Sequence, residues 1–513
     1  MSRKPNTLLL NALLTIAITI VSSPALAKEQ SFSQGKGYEQ GAYDTTAIRP
    51  TITNWQGQSQ FEGTNTPEKY WVYSVDDNEI ITSSVVIGND GTKYFVTADD
   101  DHNKGYLYAL GYNGTRKWKA KLSKDNSSDP VIGPGGNIFV ASGEDFYSFT
   151  PEGKQKLKRT VTKIKGGTPG TPVLSKDGVF FIEYSTCAIP TITAVTSNGK
   201  VKWVKEWELS ADLAINRTGN LYAPVWAGGG LLAINQKGET TWRWEVDFTS
   251  HATPTFGQDG TMYVLNRRDG YQQLDAFTPE GESKWNLKFE KRELEDSAIS
   301  ISDEGDLYFT TFGLREPYTI TLNAVTPEGN IKWRKELNRS PKRSDLGLPW
   351  AMQPAIDKNG DIYAIGVGLK DDEWVSYLHA VSPEGKDKWS VELGAFTGAS
   401  PTIDKNGDII VPAKKKLFII GSDKPEKELE VKALTVSKKT VTMKVGEQVD
   451  LKVTATYKDG TKEDVTEDVD WSSSKEDVID VEKGELRGLE AGITTLSANY
   501  GGKTVKIKVT VKR

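Results

Sequence analysis

Apolar and polar residues alternate along most of the chain in a pattern that predicts pairs of short antiparallel strands. In each pair an apolar run leads to a turn that ends in glycine, and an aromatic or apolar residue follows three positions later. Glycine suits such turns because it adopts a positive φ without a clash at Cβ. We call this strand pair the first hairpin, and it occurs eight times. The glycines of the eight copies are Gly91, Gly136, Gly178, Gly219, Gly260, Gly305, Gly360 and Gly407.

A second hairpin follows each of the first seven copies and runs from an alanine to a tryptophan nine residues later. Ala380–Trp389, with the sequence AVSPEGKDKW, is one example, and Ser148–Leu157 keeps the spacing although both end residues are changed. The glycines of the seven copies are Gly114, Gly153, Gly199, Gly238, Gly281, Gly329 and Gly385. They are 39 to 56 residues apart, and such a recurrence indicates a repeat architecture.

Together the two hairpins predict one four-stranded antiparallel sheet per repeat, and sheets of this size arranged around an axis form a β-propeller. Because there are eight first hairpins but seven second ones, the eighth sheet lacks its outer strand. We expect the strand around Trp71 to supply it, so that an N-terminal strand closes an eight-bladed ring and leaves no open edge. The repeat tryptophans, expected to be structural, are Trp71, Trp118, Trp203, Trp242, Trp285, Trp333 and Trp389.

Changes in composition divide the chain into five predicted segments. They are a signal peptide (1–27), an extended polar lead-in (28–66), the eight-bladed propeller (67–422), a charged linker (423–430) and a β-sandwich of short strands (431–513). Within the lead-in, Trp55 is a large aromatic in a polar setting, and we expect it to dock on the propeller. The protein is therefore predicted to be all-β, with two domains.

The N-terminal segment has the pattern of a secretory signal. Arg3 and Lys4 precede the apolar run Leu8–Val21, and Ala25–Ala27 has the small residues of a cleavage site. The apolar run is short for a membrane span, and no later stretch is long and apolar enough for one. We expect cleavage near Ala27 and a protein that is secreted or located at the cell surface.

Composition narrows the possible chemistry. The net charge of −5 argues against a nucleic-acid partner held through phosphate contacts. The single cysteine, Cys187, excludes an intrachain disulfide and any metal site that needs two thiolates.

The alanine-to-tryptophan turn resembles the tryptophan-docking motif of pyrroloquinoline-quinone-type (PQQ-like) eight-bladed propellers. The resemblance covers residues 54–423 and implies that fold. Residues 431–513 resemble a bacterial Ig-like domain of the second group, through Val445-Gly-Glu, Trp471-Ser-Ser and Gly488–Gly492. Such domains serve as spacers or adhesive modules in secreted and surface proteins.

Quinone-dependent dehydrogenases of the PQQ-like family have a calcium site, a catalytic aspartate and often a disulfide between adjacent cysteines. No stretch of this chain matches those positions, so we expect neither PQQ nor dehydrogenase activity. Asp357–Asp361 and Asp404–Asp408 resemble partial calcium loops, but both lie on first-hairpin turns, and hairpin chemistry explains them. Calcium stays open as an alternative at the acidic loops described next.

The irregular loops, which lie opposite the repeated turns in a propeller, are the expected location of function. Candidate ligand-binding residues there are Asp99, Asp101, His102, Trp226, His251, Trp350, Asp371, Asp372 and Trp374. The acidic residues could bind a cation or simply be solvated, and the tryptophans could stack on a sugar or a peptide or pack at the rim. No arrangement of these residues predicts a catalytic site.

These observations predict an exported, non-catalytic scaffold that binds a protein or carbohydrate partner outside the membrane or at the cell envelope. The alternative is an extracellular enzyme that acts on a polysaccharide through acids on the irregular loops. A third interpretation, a scaffold of envelope assembly like the propeller lipoprotein of outer-membrane biogenesis, is opposed by the absence of a lipidation cysteine after the signal.

Overall fold

The computed structural model describes residues 58–99, 103–185, 190–207, 209, 213–216, 218–225, 230–244, 253–268, 271–291, 293–295, 298–313, 318–340, 352–370, 373–423, 431–458 and 462–513. Trp55 lies outside these residues. In the described part, strands account for nearly all regular structure, and one short 3₁₀ turn occurs at Pro134–Gly136. The protein is all-β, as predicted.

Among the described residues, thirty-five strands form the repeat region. They are β1 (Tyr70–Ser74), β2 (Glu79–Ile81), β3 (Val86–Ile87), β4 (Lys93–Asp99), β5 (Gly105–Leu110), β6 (Arg116–Lys121), β7 (Val131–Ile132), β8 (Ile138–Ser142), β9 (Asp145–Phe149), β10 (Gln155–Thr160), β11 (Thr168–Pro169), β12 (Val173–Leu174), β13 (Val179–Ser185), β14 (Thr191–Thr196), β15 (Val201–Glu206), β16 (Ala214–Ile215), β17 (Leu221–Pro224), β18 (Leu231–Ile234), β19 (Thr240–Trp244), β20 (Thr255–Phe256), β21 (Met262–Arg268), β22 (Tyr271–Phe277), β23 (Ser283–Lys291), β24 (Glu293–Glu295), β25 (Ser300–Ile301), β26 (Leu307–Gly313), β27 (Tyr318–Val325), β28 (Ile331–Ser340), β29 (Ala355–Ile356), β30 (Ile362–Lys370), β31 (Glu373–Val381), β32 (Asp387–Glu392), β33 (Thr402–Ile403), β34 (Ile409–Ala413) and β35 (Lys416–Ile420).

The strands pair within the repeats into eight antiparallel sheets among the described residues. We number them in chain order: sheet 1 (β2–β6), sheet 2 (β7–β10), sheet 3 (β11–β15), sheet 4 (β16–β19), sheet 5 (β20–β23), sheet 6 (β24–β28), sheet 7 (β29–β32) and sheet 8 (β33–β35 with β1). In sheets 1, 3 and 6 the first position is shared by two short strands that pair with the same neighbour.

Sheet 8 joins the two ends of the repeat region. Its outer strand is β1, which pairs antiparallel with β35 and places Trp71 opposite Ile419. This is the pairing that the sequence predicts for Trp71. The side chain is 7% exposed and packs in a cluster with Phe95 of sheet 1 and Ile410 of sheet 8.

Both families of glycine turns lie at the same end of the sheets. In sheet 7, a Cβ added to Gly360 of the first hairpin would lie 3.1 Å from Pro383 Cγ of the second. Gly260 and Pro279 of sheet 5 have the same relation, at 3.2 Å. We call this end the turn face and the opposite end the loop face.

Five repeat tryptophans bind the turn of the next sheet, and a sixth, Trp389, binds the lead-in at the corresponding place. Trp333, for example, lies on β28 of sheet 6, and its Nε1 donates to the carbonyl of Pro383 in sheet 7 at 2.8 Å. A Cβ added to Gly385, which has a φ of +81°, would lie 2.8 Å from the ring. The same donation is made by Trp118, Trp203, Trp242, Trp285 and Trp389, at 2.7 to 3.2 Å.

The lead-in takes the place of the missing eighth second hairpin. Trp389 of sheet 7 donates to the carbonyl of Thr64, where the other tryptophans find the next turn. The same segment is fixed by the amide of Gly63, which donates to Asp357 Oδ2 at 2.7 Å, and by Gln58, whose Nε2 donates to the Asp357 carbonyl at 3.0 Å. Residues 58–66 are therefore part of the turn face.

The C-terminal residues form a separate group of strands with their own core. The strands are β36 (Val431–Val436), β37 (Thr440–Lys444), β38 (Gln448–Asp450), β39 (Val453–Tyr457), β40 (Lys462–Asp464), β41 (Asp470–Ser473), β42 (Ile479–Glu482), β43 (Glu485–Gly488), β44 (Gly492–Tyr500) and β45 (Lys503–Lys512). They make three sheets, ordered β36-β39-β40, β37-β45-β44-β41 and β38-β43-β42, in which β37 and β45 are parallel. Two apolar clusters, around Leu486 and Val453, fill the space between the sheets.

This C-terminal unit contacts the turn face. Lys405, in the first hairpin of sheet 8, has its Nζ 3.8 Å from Asp468 Oδ2 and 3.4 Å from the hydroxyl of Tyr500. Asn89, in the first hairpin of sheet 1, donates to the carboxylate of Asp470. The unit therefore lies over the turns of sheets 8 and 1. No helix with the length and hydrophobicity of a membrane span occurs among the described residues.

The tryptophan–glycine contact gives a stability prediction. We expect Gly385→Ala to lower the free energy of unfolding by about 1–3 kcal/mol more than Gly178→Ala, because the added methyl group overlaps the Trp333 ring. Gly178 is a matched control, since its φ is +72° and nothing lies within 4 Å of an added Cβ. Urea unfolding of the two variants measures the difference. Equal losses would show that the backbone conformation alone excludes alanine.

Candidate functional site

Two of the nine predicted ligand-binding residues lie in the described part of the structure. They are Asp99, at the end of β4, and Trp374, near the start of β31. The other seven lie outside the described residues: Asp101, His102, Trp226, His251, Trp350, Asp371 and Asp372. The geometry of the loop face can therefore be built from the strand ends that border these residues.

Asp99 organises the turn that follows its strand. The side chain is 4% exposed, and its Oδ1 accepts hydrogen bonds from the amides of Asn103 at 2.8 Å and Lys104 at 3.0 Å. Asp99 is also the register partner of Glu79 on β2. At least one carboxylate oxygen of Asp99 is thus engaged in holding the backbone of sheet 1.

Trp374 packs into the core rather than lying on the surface. It is 6% exposed and belongs to a cluster with Phe312 and Ile320 of sheet 6 and Leu378 of sheet 7. A ring in this position is not available as a stacking platform for a sugar. Of the two roles considered for Trp374, stacking on a ligand or packing against the protein, this placement corresponds to packing.

The densest polar cluster near the loop face surrounds Glu79, which is 2% exposed. Its Oε2 accepts from the hydroxyls of Thr97 at 2.7 Å and Tyr108 at 2.8 Å, and its Oε1 pairs with Lys119. Lys119 also donates to Asp76 Oδ2 at 2.8 Å. The buried carboxylate is therefore held by two hydroxyls and an ammonium group, which satisfies its charge within sheets 1 and 8.

The protonation states of this cluster suit a structural role. Burial favours a neutral Lys119, but hydrogen bonds to Asp76 and Glu79 outweigh it and raise the lysine pKa. Burial and the bond to Glu79 also raise the pKa of the Tyr108 hydroxyl. The hydrogen bond from Lys119 lowers the pKa of Asp76. With the amine firmly charged and the phenol firmly protonated at neutral pH, neither group has the properties of a base or nucleophile.

A second cluster is buried where sheets 8 and 1 meet. Lys93 of β4 and Asp404 form an ion pair of 3.2 Å, with the two side chains 1% and 0% exposed. Asp404 uses its other oxygen, Oδ1, to accept the amides of Asn406 at 2.9 Å and Asp408 at 3.1 Å. The pair therefore ties the first hairpin of sheet 8 to a strand of sheet 1 across the closure of the repeat region.

Asp408 is the titratable neighbour of this pair. Burial, and then the charge of Asp404, raise the pKa of Asp408 to about 6, against the opposing effects of Ser422 and Lys93. Its Oδ2 accepts the hydroxyl of Ser422 at 2.7 Å. This carboxyl group thus changes charge within the range of ordinary solution conditions.

The two calcium-like loops are hairpin turns with their oxygens engaged. Asp357 Oδ1 accepts the amides of Asn359 and Asp361 at 2.9 Å, and its Oδ2 accepts the amide of Gly63 at 2.7 Å. Asp404 has the same amide contacts and gives its remaining oxygen to Lys93. Among the described residues, no group of three or more histidine, cysteine, aspartate or glutamate side chains has the proximity to hold a metal ion.

His379 is a half-buried strand residue beside the repeat alanine Ala380. Its Nε2 lies 2.8 Å from Asn338 Oδ1 of sheet 6, and burial lowers the histidine pKa to about 4. The imidazole is therefore neutral at physiological pH and contributes a hydrogen bond between sheets 6 and 7.

The comparisons with known proteins agree with this architecture. Residues 188–404 match the family model of the outer membrane protein assembly factor BamB, which describes PQQ-like repeats. Over these residues the repeat region is thus similar to PQQ-like repeat proteins. More particularly, the chain is 31% identical over 113 residues to the uncharacterized protein YxaL of Bacillus subtilis (strain 168). That match covers 21% of this chain and 26% of YxaL, so it spans about a quarter of the relative.

Similar solved structures carry diverse descriptions. They include a quinonprotein alcohol dehydrogenase-like protein from Bacteroides thetaiotaomicron (11% identity, 52% of this chain, 67% of that chain, TM-score 0.38). Virginiamycin B lyase from Staphylococcus aureus (11% identity, 57% and 93%, TM-score 0.39) and a puromycin hydrolase (11% identity, 69% and 61%, TM-score 0.40) are others. At these identities and scores, none supports the transfer of an activity.

Lys93 was missed by reasoning from the sequence, although a signal was present. The position two residues after the first-hairpin glycine is apolar in the other seven copies: Ile138, Phe180, Leu221, Met262, Leu307, Ile362 and Ile409. A lysine at a buried strand position requires a charged partner. That partner, Asp404, comes from the far end of the repeats, so only the closed arrangement of sheets 8 and 1 identifies it.

The buried ion pair gives a second stability prediction. Lys93→Met, which restores the apolar residue of the other copies, should lower the free energy of unfolding by about 3 kcal/mol or more, because Asp404 is left buried without a cation. Adding Asp404→Asn should recover most of the loss, since asparagine still accepts the turn amides without a charge. The matched control is Lys117→Met, which breaks a more exposed pair with Asp90 and should cost about 1 kcal/mol or less. Chemical unfolding that gave equal losses for both methionine variants would refute the special role of Lys93.

The pKa of Asp408 gives a pH prediction. Because burial raises the pKa of Asp408 in the folded protein to about 6 from its ordinary value of 3.8, the folded protein binds the proton more tightly than the unfolded chain. Stability should therefore fall as the pH rises between these values and stay lower above them. We expect Asp408→Asn to remove this loss, so that the variant exceeds the wild type by up to about 3 kcal/mol at neutral pH but not at acidic pH. Thermal unfolding across a pH series tests it, and a gap between the two proteins that is independent of pH would contradict it.

Proposed function

We propose that the protein is an exported, non-catalytic binding scaffold. In this proposal the eight sheets are the blades of a closed eight-bladed PQQ-like propeller, and residues 431–513 are a bacterial Ig-like domain that acts as a spacer or adhesive module. The partner is a protein or a carbohydrate outside the membrane or at the cell envelope. The signal-like residues 1–27 support export, with cleavage near Ala27.

One observation carries the proposal: buried ionisable groups in the described structure serve to join strands and sheets. Glu79 is held by two hydroxyls and Lys119, and Asp404 by two amides and Lys93. Catalytic acids and bases need pKa values near the working pH and access to a substrate. These groups instead have the partners expected of structural ones.

The loop face is the surface that we assign to the partner. The turn face is occupied by the lead-in, which contacts Asp357, and by the C-terminal unit, which contacts Lys405. The tryptophans predicted for the loop face, Trp226 and Trp350, supply the type of side chain that anchors protein and sugar partners. Loop insertions of variable length between regular strands are also the usual position of binding residues.

Binding assays with loop-face and turn-face variants test this assignment. The mature protein is first probed against arrays of envelope glycans and of envelope proteins. We expect Trp226→Ala with Trp350→Ala to weaken binding to the recognised partner about tenfold or more, because a partly buried aromatic anchor is worth about 1–3 kcal/mol. The matched turn-face control, Glu384→Ala with Lys386→Ala, removes two exposed side chains and should bind like the wild type. Loss of binding in the control alone would place the site on the turn face.

The same samples distinguish a scaffold from an enzyme. The alternative, an enzyme that acts on a polysaccharide through loop acids, predicts the release of soluble products during incubation. It also predicts that Asp101→Asn, Asp371→Asn and Asp372→Asn together abolish the release. Turnover that depends on these acids would replace the scaffold proposal, whereas binding without product release supports it.

A further inference from the structure

The outer edge of sheet 2 carries an uninterrupted series of basic side chains. From residue 154 to residue 165 the chain contains no acidic residue, and the six basic ones are Lys154, Lys156, Lys158, Arg159, Lys163 and Lys165. All six side chains belong to exposed residues. Since the whole chain has a net charge of −5, this positive charge is a local feature.

Most of this charge is not neutralised within the described structure. Lys158 has its Nζ 3.4 Å from Asp145 Oδ2, and no ion pair forms between the other five and the described residues. Of the nearby acids, Asp145 also accepts the Thr160 hydroxyl at 2.7 Å, and Glu144 accepts the amide of Gly166 at 3.2 Å. Glu152 is the third acid of this part of the sheet.

The neighbouring sheet shows the contrast. The outer strand of sheet 1, β6, is equally basic, but Arg116, Lys117 and Lys119 each pair with a carboxylate at Asp76, Asp90 or Glu79. Lysines on an edge strand also prevent pairing with another chain, and that role requires only one or two of them. The β10 segment has more basic residues than protection of an edge strand requires. Because only one of the six forms an ion pair, the segment presents a surface that attracts anions.

The geometry of the edge fits an extended ligand. β10 pairs with β9 on one side and is the outer strand of its sheet. Lys154 precedes β10, Lys156, Lys158 and Arg159 lie on it, and Lys163 and Lys165 follow it. The charges therefore form a line along the whole segment, at uneven intervals and on both sides of the strand. A linear polymer with one phosphate per three-carbon unit presents its charges in a comparable line.

The side chains between the basic residues distinguish among anionic polymers. Residues 154–165 contain no aromatic residue, and the apolar ones, such as Leu157, are half-buried or buried. Proteins that hold single-stranded nucleic acid use exposed aromatic side chains as stacking platforms. The edge therefore favours a polymer that offers charge without bases.

We propose that the β10 edge, which we define as residues 154–165, is a binding site for a linear polyol-phosphate polymer. The site runs along the rim of sheet 2 from the turn face to the loop face, where Lys163 and Lys165 follow β10 close to Glu144, whose carboxylate accepts the Gly166 amide. It does not include Trp226 or Trp350, the anchors of the proposed function. Recognition is electrostatic, through the release of counterions from the polymer by the lysine and arginine side chains.

A charge-removal series with poly(glycerol phosphate) as the probe tests the proposal. With six phosphate contacts, the wild type should show a plot of log K against log salt with a slope of about −4. Lys156→Gln, Arg159→Gln and Lys163→Gln together should weaken binding about tenfold or more at low salt and bring the slope to about half. The variant should unfold at the temperature of the wild type because the three side chains are exposed.

The matched control removes three exposed lysines from β45 of the C-terminal unit: Lys503→Gln, Lys506→Gln and Lys512→Gln. It has the same net charge as the edge variant and should bind like the wild type. The variant with Trp226→Ala and Trp350→Ala should also retain polymer binding, so that failure of either proposal is recognised separately.

Three results would overturn the proposal. The first is no binding of poly(glycerol phosphate) by the wild-type protein at low salt. The second is an equal loss of affinity in the edge variant and the β45 control, which would show attraction without a site. The third is tighter binding, at the same edge, of single-stranded DNA or of anionic vesicles with matched charge, which would assign the edge to a nucleic acid or a membrane surface.

Discussion

The contact between an outer-strand tryptophan and the turn of the next sheet sets the arrangement of the repeats. The indole Nε1 donates to a turn carbonyl, as in Trp333 to Pro383 at 2.8 Å, and the ring lies where a Cβ on Gly385 would be. One interaction therefore fixes a hydrogen bond, a ring position and a glycine together. Because sheets 4 to 7 both give and receive this contact, the spacing of neighbouring sheets is repeated along that part of the chain. In sheet 2, Leu157 keeps the contact with Gly199 but lacks the indole donor.

The same requirement explains how the two ends of the repeats meet. Sheet 7 has a tryptophan, Trp389, but no second hairpin follows it, and the carbonyl of Thr64 in the lead-in accepts its hydrogen bond instead. Trp71 occupies the corresponding place in sheet 8, on a strand from the other end of the chain. The buried pair of Lys93 and Asp404 adds a charged contact at this junction. Closure thus combines three interactions that are far apart in sequence.

The sequence predicts features that depend on local chemistry or on repetition. The turns at Gly360 and Gly385, and the exchange of the strand around Trp71, follow from glycine's access to positive φ and from counting hairpins. The sequence does not predict which way a side chain points where a loop meets a strand. The sequence around Trp374 is therefore equally consistent with a surface that binds a ligand and with a residue of the core. Nor does it predict Lys93 with Asp404, since that pairing requires the sheets to be in place. The candidate site on the loops is predictable only as a location, because irregular segments have no repeat to compare.

The regular part of the fold and its surfaces obey different constraints. Inside the fold, the contact between an outer strand and the next turn is kept even where its residues differ. Leu157 occupies the place of a tryptophan, and the lead-in occupies the place of a second hairpin. On the outer strands only the side facing the next sheet is constrained, so the other positions are free to differ between sheets. The outer strand of sheet 1 balances its cations with carboxylates, whereas that of sheet 2 does not. A difference of this kind between repeats that share one architecture cannot come from the demands of packing. Such positions, together with the loops, are therefore the parts of the surface to which we assign the proposed binding.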